Sequence, residues 1–260
     1  MSASCPEGAR LAALRAQVRA IESAGRAAGQ SVLPFGLEAV DARLAGGGLP
    51  LAALHEAAAA SPAPSDEAAS VLFLAGLAGL LSRAAGTGQV LWALARPGLF
   101  APGLAGAGLT PDRLICAECR DDAEILAVLE DGLRHGGLAA VVGEVSRAAM
   151  ASARRLQLAA EEGRTIALLL RRWRKPDEDP LAPPSSAVTR WRIGCAPSLP
   201  LPFAGLGRAC LQVALVRQRG GPGHEWILEA PDAEARFALP TRSGDRPDQA
   251  RVARHGALAA

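Results

Sequence analysis

Tyrosine is absent from this chain of 260 residues, aromatics make up 3% of it, and Lys175 is its one lysine. The basic residues are otherwise arginine, and a formal net charge of +2 gives no global basic field of the kind that marks a nucleic-acid-coating protein. The five cysteines are odd in number and scattered at 5, 116, 119, 195 and 210. They form no disulfide framework, which points to a reducing cytoplasm. Met1 to Gly8 has neither a basic start nor an apolar run, so no secretory signal is expected. The most apolar stretch, Val71 to Leu81, falls short of the ~20 residues that span a bilayer. No membrane association is expected.

What is present is alternation. Half of the residues are hydrophobic, and they fall into short apolar runs separated by helical periods. The runs expected to be strands are Ala52–Glu56, Gly88–Ala95, Leu114–Cys119, Leu138–Val145 and Thr165–Leu170, all buried. Helices are expected over 66–85 from a Ser65/Asp66 cap, over Asp121–His135, and over Ala148–Gly163. Strands alternating with helices of this length imply parallel pairing, right-handed crossovers and a sheet covered on both faces. After Arg171 the pattern breaks into the polar, proline-rich "RRWRKPDEDPLAPPSSAV", expected to be an exposed, mobile loop. "TRWRIGCA" and "ACLQVALVRQR" then read as strands, and "GGPG" turns the latter into "HEWILEA" as an antiparallel hairpin. Three regions follow: an amphipathic N-terminal helix within 1–30, an α/β core over 31–235, and a flexible, arginine-rich tail over 236–260.

Between the first of those strands and its helix runs "ALHEAAAASPAPSDEAAS", the strand–loop–helix layout in which many proteins cradle a phosphate. Such a loop needs glycines that let N–H groups curl around the anion, a lysine, and a Ser/Thr for Mg²⁺. Here there is no glycine and no lysine. Pro62 and Pro64 each remove an N–H, and Asp66 and Glu67 put negative charge where an anion would sit. Ordinary ATP binding is excluded on these grounds, and no cofactor and no metal are expected.

"LAGGGLPLAALHEA", followed by strand, helix and "LAAVVGEV", resembles the RecA ATPase core, in which a Gly-Gly-Leu-Pro turn precedes the phosphate-loop strand. The lysine-free version with a leading helix and an arginine-rich tail resembles the ImuA family, RecA-like accessory factors of bacterial inducible mutagenesis. The similarity runs from about Leu33 to Glu229. It implies a RecA-like core whose machinery is missing in four places. The phosphate loop is degenerate. Gln89 to Pro111 holds no acid where a water-activating glutamate is expected, and Arg96 stands near that place. Gly143 takes the position of the magnesium-supporting aspartate, with Glu144 one residue on and expected to face the other way. Arg171 or Arg172 matches the phosphate-sensing glutamine. The first DNA loop of RecA has no counterpart, because Val145-Ser146 runs straight into a helix. The second corresponds to Trp173–Thr189, and Arg171, Arg172, Trp173, Arg174 and Lys175 are candidate DNA contacts, an aromatic set among cations.

The family resemblance therefore implies a non-catalytic adaptor in damage-induced translesion synthesis. Its implied partners are an ImuB-like inactive Y-family polymerase, an error-prone C-family polymerase and, as a further candidate, RecA. Candidate partner contacts are the helical seam Leu11, Leu14, Val18 and Ile21, and the tail residues Arg236, Arg242, Arg246, Arg251 and Arg254. An alternative of another class is a SulA-type cell-division inhibitor that binds a tubulin-like GTPase; the extra hairpin and tail count against it. Other constellations read as structural. Cys116 and Cys119 would point to opposite faces of a strand, and His55 has no nucleophile to serve.

Overall fold

The structure, a computed structural model, describes residues 31–85, 88–201, 205 and 207–240. Leu11, Leu14, Val18, Ile21, Arg242, Arg246, Arg251 and Arg254 lie outside them.

The core is an eight-stranded sheet in the order β10-β9-β8-β3-β7-β6-β4-β5. Its strands are β3 (Leu54–Ala59), β4 (Val90–Leu94), β5 (Leu114–Glu118), β6 (Ala140–Val145), β7 (Ile166–Arg171), β8 (Thr189–Ala196), β9 (Cys210–Gln218) and β10 (His224–Glu229). Six neighbours from β8 to β5 pair in parallel, while β8, β9 and β10 pair antiparallel. Before them, β1 (Val32–Leu33) and β2 (Leu49–Pro50) form a two-stranded sheet around the short helix α1 (Glu38–Asp41). The expected mixed α/β architecture, with a mostly parallel sheet and a C-terminal antiparallel hairpin, is the one observed.

Handedness sorts the helices onto two faces. The steps toward β5 carry α2 (Pro64–Ala84) and α3 (Ala101–Gly106), whose buried side chains join one core with Val90, Trp92 and Leu168. The steps back toward β8 carry α4 (Asp122–His135) and α5 (Met150–Gly163), which join the other core with Leu91, Val141 and Leu169. Right-handed crossovers require this, since a reversal of stepping direction must change face. The central strands are sealed on both sides, so they read as unbroken apolar runs.

Four expectations change. β5 is not buried. It is the sheet edge, and Ile115 is 45% exposed. α2 starts at Pro64 rather than at a Ser65/Asp66 cap, because proline suits the first helical position, where its missing N–H costs nothing. That early start makes α2 21 residues long, enough to cross a membrane by length and composition. Here Phe73, Ala75, Leu77 and Ala78 bury it against the sheet. The loop 172–188 is packed rather than loose. Leu181, Ser185 and Ala187 are buried, and Asp179 accepts twice from Arg192 Nη2, at 2.9 and 2.7 Å. Residues 236–240 belong to the core rather than to a tail. Phe237 is buried, and the Glu229 amide donates to the Ala238 carbonyl at 2.7 Å.

The few aromatics are concentrated. Phe35, Phe73, Trp191, Trp226 and Phe237 form one cluster with ring centroids 5.5 to 6.2 Å apart. It joins the N-terminal turn, α2, the hairpin and the final segment, so these elements share one packing unit.

Two buried details generate predictions. His55, on β3, is fully enclosed. Its Nε2–H donates to the Pro50 carbonyl at 2.9 Å, and its Nδ1 accepts from the Thr189 hydroxyl at 2.7 Å. That hydroxyl accepts in turn from Trp191 Nε1 at 2.6 Å. Burial lowers the His55 pKa from 6.5 to about 4, opposed only in part by the Pro50 bond. As pH falls below about 6.5 the unfolded chain binds this proton first, so stability drops until about pH 4 and then levels off. Wild-type unfolding free energy should fall by on the order of 3 kcal/mol more across this range than that of His55→Gln. Urea unfolding at each pH measures it, and equal slopes would contradict the assignment. Gly143 sits where α4 approaches the sheet, and a Cβ there would lie 2.4 Å from Leu129 Cδ1. Gly143→Ala should therefore lower stability by about 1–3 kcal/mol through overpacking, read as a shifted urea midpoint at constant m-value.

Candidate functional site: the crevice at the carboxyl ends of the strands

All parallel strands end at one edge, where open α/β sheets place their ligand crevice. Here that crevice has a volume of about 1070 Å³ and is walled by the segments that follow β3, β4, β5, β6 and β7. Its centre is an ion cluster. β7 alternates its side chains, so Arg171 and Arg172 leave on opposite faces. Arg172 turns to the α2 face. Its Nη1 donates to Glu67 Oε2 in the first turn of α2. Its Nε and Nη2 both donate to Glu144 Oε2 on β6, at 3.1 and 2.7 Å. The other Glu144 oxygen accepts from Trp92 Nε1 on β4 at 2.9 Å. Burial would lower the Arg172 pKa, but the charges and hydrogen bonds of Glu144 and Glu67 outweigh it and raise the guanidinium above its ordinary value. The cation is permanent.

The loop between β3 and α2 is closed by its own groups. Asp66 accepts from Ser61 Oγ at 2.6 Å and from the Cys195 amide at 2.8 Å. Ser61 Oγ also accepts from the Ala63 amide at 3.2 Å. Trp173 Nε1 donates to the Ala59 carbonyl at 3.0 Å, which pins the 172–188 loop beside the end of β3. The loop has no glycine, and Pro62 and Pro64 contribute no N–H. Chemically, the crevice centre offers a guanidinium already neutralised by two carboxylates.

Glu144 is a correction. It shares the α2 face with Arg172, whereas Gly143 faces α4 and Leu129. An acid thus does stand at the crevice, one residue later than expected, and it holds an arginine. Of the two arginines at the end of β7, Arg172 lines the crevice and Arg171 does not.

On the opposite face lies a second cluster, missed in the sequence. Glu56 is fully buried and accepts from Ser185 Oγ at 2.8 Å, Arg190 Nε at 2.9 Å and Arg171 Nη1 at 3.3 Å. A lone glutamate inside the apolar run "LHEAAA" was the available signal, because a buried carboxylate demands partners. The alternation Arg190-Trp191-Arg192-Ile193 was the second, with arginines on one face of β8 and apolar groups on the other.

The candidate DNA contacts are therefore divided. Arg171 is 3% exposed and points inward, Arg172 is held by two glutamates, and Trp173 bonds to β3. Arg174 and Lys175 are at the surface, both paired with Glu178, at 3.4 and 2.6 Å. Arg96 is exposed on the crevice wall. Arg236, the one described member of the tail set, bonds to Asp232 and Glu234. Cys116 is exposed on β5 and Cys119 is buried. Burial, then the neighbouring carboxylates, raises both thiol pKa values, which favours the protonated thiol.

No family model matches the chain. Two curated relatives do. Protein ImuA of Caulobacter vibrioides strain NA1000 / CB15N is 41% identical over 208 residues, covering 78% of this chain and 84% of the relative. Protein ImuA of Caulobacter vibrioides strain ATCC 19089 / CIP 103742 / CB 15 aligns with the same identity and coverage. At that identity and coverage, the chain belongs to the ImuA family.

Proposed function

We propose that this chain is a non-catalytic, RecA-like accessory protein of damage-induced, error-prone translesion DNA synthesis that works through protein contacts. Family membership supports the biological setting. The observation that carries the mechanism is the Arg172 cluster. In a RecA-like ATPase this crevice would hold triphosphate and Mg²⁺; here a side-chain cation spans Glu67 and Glu144, beside a loop carrying Pro62 and Pro64. A protein built this way keeps one conformation where a nucleotide-driven relative would switch between two. It serves as a fixed platform that holds partners together.

The partners proposed are an ImuB-like inactive Y-family polymerase, an error-prone C-family polymerase and RecA. The contacts proposed are the helical seam Leu11, Leu14, Val18 and Ile21 and the arginines after Pro240. A SulA-type inhibitor of a tubulin-like GTPase is the competing class, and the ImuA relatives favour the first.

Two measurements test this reading. Isothermal titration with ATP·Mg²⁺ should give no saturable heat, and micromolar binding would contradict this reading. Affinity purification from DNA-damaged cells should recover the two polymerase-type partners with the full chain and lose at least one on removal of residues 241–260. Recovery of a GTP-dependent filament protein instead would favour the alternative.

A further inference from the structure

A second cavity, of about 600 Å³, opens beside the crevice, between the start of α5 and the loop 174–183. Three independent features converge on it.

The first is a buried charge imbalance. Arg171, which lines the cavity, and Arg190 are both over nine-tenths buried, and they share the single carboxylate of Glu56. Both guanidiniums are permanently charged, so the cluster carries one surplus positive charge. The surplus shows in its hydrogen bonds. Arg171 Nε and Arg190 Nη2 have no partner among the described residues. Buried guanidinium N–H groups without acceptors are strongly unfavourable, and native structures seldom leave them so.

The second is the amino terminus of α5, a 14-residue helix. Its cap residue, Ala149, supplies no side-chain acceptor, and no acid lies in its first turn. The cap residue Ala149, with Ala148 before it, lines the same cavity, and the helix dipole favours an anion there. The amides just before it, Ser146 and Arg147, are already taken by the Asp122 carboxylate at 3.2 and 2.8 Å.

The third is the rim. The Arg147 side chain is exposed and makes no hydrogen bond or ion pair among the described residues. Arg174 stands opposite. Of the acids lining the cavity, Asp179 pairs with Arg192 and its charge also acts on Arg190, while Glu178 pairs with Lys175 and Arg174 and its charge also acts on Arg147. Asp177 lies exposed on the rim.

We propose that this cavity is a site for a phosphate group, held by Arg147 and Arg174 from the rim and by the surplus charge at Arg171, with the amino-terminal end of α5 beside it. A tetrahedral oxyanion fits this set better than a planar carboxylate, because its donors converge from the floor and the rim. The group could be carried by a free phosphate compound or by a nucleic-acid backbone; both present the same oxygens.

The test uses the full chain. Arg171→Gln would strand Glu56 and could unfold the protein, so the test uses the surface pair Arg147→Ala/Arg174→Ala. Thermal unfolding is followed against inorganic phosphate and against NaCl at equal ionic strength. The wild type should be stabilised saturably by phosphate beyond the NaCl series, with at least a tenfold weaker apparent affinity in the double variant. That variant also corrects for the general salting effect of phosphate. A labelled oligo(dT) then identifies the source. Binding that phosphate displaces and the double variant loses assigns the site to a nucleic-acid backbone; phosphate binding without oligo(dT) binding assigns it to a free phosphate compound. The proposal is overturned if phosphate acts no differently from NaCl, if wild type and double variant respond alike, or if a polyglutamate peptide stabilises the protein where phosphate does not.

Discussion

A guanidinium fixed between two carboxylates governs what this molecule can do. Arg172 joins three elements that never meet in sequence: the first turn of α2 through Glu67, β6 through Glu144, and the end of β7, which it directly follows. Trp92 adds β4 through the second Glu144 oxygen. The cluster sits where the parallel strands end, which is the place an α/β sheet reserves for ligand chemistry. Its guanidinium is met by two carboxylates, which leaves one surplus negative charge at the crevice. A half-buried ion pair of this kind gives modest net stability, and removal of one partner costs far more than the pair contributes. Its role is therefore to fix one arrangement of the sheet edge rather than to add strength.

The loop after β7 depends on that arrangement. Arg172 leaves β7 toward one face, and Trp173 anchors on the Ala59 carbonyl. The chain then crosses the opposite face to reach β8, where Ser185 meets Glu56 and Asp179 meets Arg192. Polar bonds hold this segment where the helices of the sheet use apolar packing. The arginines of β8 make this possible. Arg190 and Arg192 face the loop, while Trp191 and Ile193 face the aromatic core.

Much of this was legible in the sequence. The alternation of apolar runs with helical periods gave the parallel sheet and its two covered faces, and the "GGPG" turn gave the hairpin. That the loop between β3 and α2 has few backbone donors was visible in Pro62 and Pro64, because such donors can be counted from residue types alone. What was hidden depended on pairing order. Nothing local marks β5 as the edge strand, since exposure follows from which neighbour is absent. The loop 172–188 looked mobile because its anchors, Glu56, Arg192 and Arg217, lie far away in the chain. Glu144 was placed on the wrong face by a one-residue offset, and in a strand one residue reverses every side chain. Phe237 was assigned to a tail because a single aromatic amid polar residues gives no periodic signal.

The central claim is that Arg172 and Glu144 are energetically coupled in the folded crevice. A double-mutant cycle with Arg172→Gln, Glu144→Gln and the combined variant, followed by urea unfolding, measures this directly. The account predicts a coupling energy of about 1–3 kcal/mol, with each single variant losing more stability than the pair's net worth. Additive single effects, with a coupling indistinguishable from zero, would contradict it.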